Sequence, residues 1–154
     1  MLPITQDAQR VNLLFQYGVL DASAIIAWAD AAIVETDSPP HALLELSTTA
    51  SDRTADILSC LQRLSEGAEF WPALRSAIPQ LRDFVTLHPD RAERIANHLF
   101  LTACSFAVGD VPEDLDFIYR FDDAFSLARE GTYGETETVY REFIHEMGRF
   151  TDAV

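Results

Sequence analysis

Apolar residues recur at steps of three and four along most of the chain, and they nowhere alternate strictly with polar ones over the length of a strand. The most regular run is Trp71, Leu74, Ile78, Leu81, Val85 and His88, a seam suited to packing against a neighbouring helix. Pro79 falls inside it and predicts a kink or split near residues 76–78, because proline lacks the N–H that a helix interior needs. Towards the N-terminus the pattern predicts a helix over 6–17, with Thr5 as cap and Gly18 as left-handed stop. Asp21 is placed to cap a second over 22–36. There Ile25, Trp28 and Ala32 line one face, and Ile26, Ala29 and Ile33 widen it until most of the helix is buried. Ser38-Pro39-Pro40 breaks the chain and restarts it as a short helix over 41–47. Ser51 caps the next, over 52–65, whose apolar stripe is Ile57, Cys60, Leu61 and Leu64, and Gly67 ends it.

Pro89 opens a helix over about 90–107. From Leu99 to Val108 its residues are apolar nearly all round, which predicts the most enclosed element of the fold and is too short to cross a bilayer. Helices over 112–130 and 135–150 complete the pattern, separated by a turn at EGTYGET. The expectation is an all-α fold: one domain over residues 1–154, an irregular orthogonal bundle of about seven or eight helices. The N-terminal MLPITQDAQR lacks the basic and apolar regions of a secretory signal, so a cytoplasmic location is expected.

Charge sharpens this picture. There are 25 carboxylates against 11 basic side chains, all of them arginine, for a net charge of −14. Residues 1–77 hold four arginines against ten carboxylates, and residues 78–154 hold seven against fifteen. The concentration is greatest from Asp110 to Glu146, where three arginines face 11 carboxylates. Such a field repels phosphate backbones and anionic lipid headgroups and attracts basic surfaces, which argues against direct nucleic-acid or membrane binding.

The densest stretch, DVPEDLDFIYRFDD at 110–123, has three readings: a metal cage, a catalytic acid pair or a wet helix face. A calcium loop needs alternating oxygen ligands and a glycine in a non-helical loop, and the alternation stops at Asp116. Pro112 instead suits a first helical turn, placing Glu113 and Asp114 where the helix dipole favours carboxylates. At 100° per residue Asp116, Asp123 and Glu130 share the outer face, with Arg120 as partner to the first two. Asp122 lies at the edge of the apolar arc with Arg129 as a possible partner. Glu142 and His145 have the E-x-x-H spacing of di-iron bundles, but only one copy is present and both point to water. His88 and His98 are expected in the core, as are Trp28 and Trp71. Cys60 and Cys104 read as buried, reduced thiols. No nucleophile elbow or phosphate loop occurs, and no cofactor is expected. Tyr119 and Tyr133 are the aromatic residues placed for exposure and for anchoring a partner.

The segment GVLDASAIIAWADAAIVETDSPPHALLELS, 18–47, resembles a stretch found in small bacterial proteins with a WAD helix, a PP step and an L-E-L-S turn. Some of these look like immunity proteins that neutralise secreted toxins. The resemblance implies a non-catalytic cytoplasmic binding protein, its partner possibly a toxin. Trp28, Ala29, Asp30, Pro39, Pro40, Leu46 and Ser47 carry the likeness.

Charge and resemblance lead to one expectation: a binding protein of immunity or antitoxin type that blocks a basic protein partner. Its contact surface would comprise Glu113, Asp114, Asp116, Asp123 and Glu130, with Tyr119 as anchor. Two alternatives stand beside it, a helical adaptor or regulatory module that binds through a hydrophobic groove and an enzyme assisted by a metal at Glu142 and His145.

Overall fold

The computed structural model describes residues 2–107 and 109–150. Val108, the end of the apolar run, lies outside the described residues. The fold is all-α, with eight α-helices, two 3-10 segments and no strand among the described residues. The helices are α1 (Ile4–Gln16), α2 (Ala22–Glu35), α3 (His41–Ser47), α4 (Thr54–Leu64), α5 (Phe70–Leu87), α6 (Ala92–Cys104), α7 (Phe121–Arg129) and α8 (Thr136–Met147). They form two compact units that divide between Ala77 and Ile78, so α5 gives its residues 70–77 to the first and 78–87 to the second.

In the first unit α4 packs against α1 and α3, and α2 packs against α1 and α3. Ala8, Val11, Ile25, Ala29, Leu43, Leu46 and the stripe Ile57, Cys60, Leu61 and Leu64 form its core. Asp21 caps α2 as expected, its Oδ1 accepting from the backbone N–H of Ala24 at 2.8 Å. Gly18 adopts φ +79°, and the N–H groups of Val19 and Leu20 then both reach the carbonyl of Leu14, closing α1. Trp28 is half-buried and donates its indole N–H to Asp7 Oδ2 at 2.8 Å, while Arg10 Nε donates to Asp7 Oδ1 at 2.8 Å.

Several expectations need correction. Thr5 lies inside α1, which starts at Ile4 after Pro3, and α4 starts at Thr54 rather than after Ser51. Within α2 only Ile25 and Ala29 are fully buried, and Val34 is 86% exposed: alanines satisfy a helical pattern on either face without requiring burial. Pro79 does not split α5, which runs continuously through it. The seam itself holds, with Leu74, Ile78, Leu81 and Val85 fully buried, but Trp71 is half-buried and His88 is exposed beyond the helix end. α6 is preceded by a separate 3-10 turn, Pro89–Arg91. Its C-terminal half is not enclosed, since Leu101 is 54% exposed and Cys104 faces solvent. Cys60 is the buried thiol. Apolar composition alone does not bury a side chain, and this side of α6 is exposed at Leu101 and Cys104.

In the second unit α7 packs against α6 and α8. Five phenylalanines meet at its centre: the rings of Phe121 and Phe143 are 4.9 Å apart, and Phe125 meets Phe143 edge-on at 5.7 Å. Phe117 touches both Phe121 and Phe150, at 6.4 and 5.8 Å. Edge-on and tilted pairs of this kind add to the burial of large apolar rings. Gly131, at φ +73°, turns the chain out of α7, letting Thr132 N–H bond to the Leu127 carbonyl.

Phe143 is fully buried and shared by two of those ring pairs. Phe143→Ala should destabilise the protein by about 3–5 kcal/mol, read from urea unfolding followed by circular dichroism. A loss below about 1 kcal/mol would show that the ring is not a packing centre.

Candidate functional site

Residues 112–130 do not form one helix. Glu113–Tyr119 is a 3-10 segment entered from Pro112, and α7 begins only at Phe121. In a 3-10 helix side chains three apart eclipse one another. Leu115 and Ile118 therefore share the inner edge, and both are buried, as is Phe121 at the start of α7. Glu113, Asp116 and Tyr119 align on a second edge, where the two carboxylates are exposed and Tyr119 is half-buried. Asp123 and Glu130 are both exposed and share a face of α7, being seven residues apart. The rotation that linked Asp116 to that face does not carry through the change in helix type. Asp114 is exposed on the 3-10 segment. Tyr133, in the turn after α7, is the more exposed tyrosine at 78%.

The arginines are paired differently from the sequence expectation. Arg120 meets neither Asp116 nor Asp123; its guanidinium lies 3.4 Å from Glu146 Oε1 on α8 and over the Phe121 ring at 5.4 Å. Glu146 also accepts from Arg149 at 2.7 Å. That bond, reinforced by the charges of Arg149 and Arg120, holds the Glu146 carboxyl below the usual range even though partial burial opposes it. Arg129 pairs with Glu93 of α6 at 3.1 Å, and Asp122 accepts from Asn97 Nδ2 at 3.0 Å instead. Side chains on α6 and α8, distant in sequence, take the arginines that local spacing had assigned to residues 116–123.

Among the described residues at least eight arginines contact carboxylates: Arg10, Arg53, Arg63, Arg82, Arg91, Arg120, Arg129 and Arg149. Among the described residues no arginine pairs with Glu113, Asp116, Asp123 or Glu130. Their charge is left to water and to whatever approaches.

Arg120, Phe121, Thr138, Arg141, Glu142, His145 and Glu146 line an open groove of about 590 Å³ between the start of α7 and α8. Glu142 and His145 thus do share a surface, as their spacing implied. Among the described residues no three His, Cys, Asp or Glu side chains are arranged to hold a metal ion. A second groove, lined by Asp90, Glu93, Arg94, Asn97, Asp122, Ser126 and Arg129, lies between α6 and α7. Thr138 and Arg141 were missed from sequence; the stripe Thr138, Arg141 and His145 at helical spacing was the available signal.

Among the other titratable groups, burial and the nearby Glu45 push the Cys60 thiol up, which keeps it protonated and unreactive near neutral pH. His98 is half-buried, and desolvation, aided by the charge of Arg94, lowers its pKa. No helix among the described residues is long and apolar enough to cross a membrane. No family model, curated protein or solved structure matches the chain.

Because the Glu146 carboxyl is depressed in the folded state, its contribution to stability is present above the unfolded value of 4.5 and is lost as pH falls through the lower folded value. Glu146→Gln should therefore be less stable than the parent near neutral pH. Its urea-unfolding midpoint should also change less than the parent's between neutral pH and pH below about 4. Parallel pH profiles for the two proteins would contradict this coupling.

Proposed function

We propose that this chain is an acidic binding protein that docks a basic protein partner through the 3-10 segment and α7 of its second unit. The observation that carries this reading is the set of carboxylates left without arginine partners: Glu113 and Asp116 on one edge, Asp123 and Glu130 on one face of α7. Asp114 borders the first pair. A net charge of −14 would speed encounter with a cationic surface, and like charge would penalise acidic competitors. The half-buried Tyr119 sits in line with Glu113 and Asp116 and is the proposed aromatic anchor. Blocking a basic toxin, as immunity-type proteins do, is the form of this function that the likeness at 18–47 suggests.

The test uses the whole chain as bait under cross-linking, beside a variant carrying Asp116→Arg and Asp123→Arg together. Both positions are exposed, so the variant should keep its helical circular dichroism. The expected result is a basic protein retained by the parent and lost from the variant, with association about tenfold slower for the variant at low ionic strength and a smaller gap at high salt. Equal recovery on both baits, or a retained partner with an acidic surface, would overturn the proposal.

A further inference from the structure

The groove between α7 and α8 is built differently from the acidic surface beside it. Arg120 and Glu146 are already closed on one another at 3.4 Å, and Glu146 is further tied to Arg149. Two opposite charges on the groove wall remain, Arg141 and Glu142, both exposed and neither hydrogen-bonded nor ion-paired among the described residues. Adjacent residues on a helix project about 100° apart, and here the Arg141 and Glu142 side chains do not meet. Arg141 is unpaired although carboxylates outnumber arginines 25 to 11 in this chain. The Thr138 hydroxyl and the His145 ring add donors and acceptors on the same stripe of α8, and Phe121 supplies an apolar edge.

This lining discriminates by charge. A polyanion would meet Glu142, Glu146 and the acidic stretch from Asp110, whereas a polycation would meet Arg120 and Arg141. A metal ion finds no set of three ligands. The complement of one free guanidinium and one free carboxylate is a neutral molecule with separated charges. We infer that the groove binds a small zwitterion of the amino-acid type, its carboxylate on the Arg141 fork and its ammonium on Glu142. An arginine fork matches a carboxylate in two parallel hydrogen bonds, and an ammonium group brings three donors to an acceptor-only side chain. The volume, about 590 Å³, suits a ligand of that size. Its openness to solvent implies weak, millimolar binding. This site stands apart from the proposed partner surface, which uses neither Arg141 nor Glu142.

The test is a titration of the isotope-labelled full chain with each common amino acid, followed by amide chemical shifts. At least one amino acid should give saturable shifts confined to residues 138–146 and 120–121. The N-acetylated and the carboxamide forms of that amino acid should each bind about tenfold more weakly, as should Arg141→Ala and Glu142→Gln. Both substitutions are at exposed helical positions and should leave the unfolding midpoint nearly unchanged. Three results would overturn the inference: no saturable shift with any amino acid, shifts elsewhere on the surface, or undiminished binding of either singly charged form.

Discussion

Keeping the phenylalanines of the second unit dry while the carboxylates between them stay wet is the constraint on which much else depends. Leu115, Phe117, Ile118, Phe121 and Phe125 are all buried, yet Glu113, Asp114, Asp116 and Asp123 are interspersed among them and exposed. Burying a carboxylate without a partner costs far more than exposing it, so the backbone must adopt whatever twist separates the two sets. The 3-10 segment does so. Its threefold repeat turns Leu115 and Ile118 inward together and sends Glu113 and Asp116 outward together. Seven residues is long for such a segment, whose hydrogen bonds are poorer than those of an α-helix. It packs against α6 and α7, with Phe117 set between Phe121 and Phe150.

The same packing decides the electrostatics. Once α8 is held against α7 by Phe143, Glu146 comes within reach of Arg120; once α6 lies beside α7, Glu93 reaches Arg129 and Asn97 reaches Asp122. These are exposed or half-exposed pairs, and each adds little to stability. Their consequence is one of allocation. Every arginine drawn to another helix leaves a nearby carboxylate of the 113–130 stretch uncompensated, so the local field is more negative than a count of neighbouring charges implies. Arg141 escapes this pairing and stands beside Glu142 on the groove wall.

Much of the fold was legible in the chain. Asp21 before a helix, Gly18 after one, the Ile57-Cys60-Leu61-Leu64 stripe and the Leu74-Ile78-Leu81-Val85 seam each fix a local outcome, because capping, left-handed φ and helical periodicity are short-range physics. Where the reading failed, the information was not local. Cys104 and Leu101 look enclosed by composition and are exposed, since burial needs a neighbour and not only an apolar side chain. Pro79 looks like a break and is accommodated within α5.

The sequence by itself determined an all-helical chain, most of its helix limits to within a few residues, and a surface dominated by carboxylates. Tertiary structure alone decided that residues 113–119 wind as a 3-10 segment, which arginine meets which acid, and that Arg141, Glu142 and His145 share a groove with Arg120. The reason is one of range. Hydrogen-bonded turns are closed by residues three or four apart, whereas helix type at a marginal segment and the partners of a long charged side chain are chosen by elements that lie many residues away.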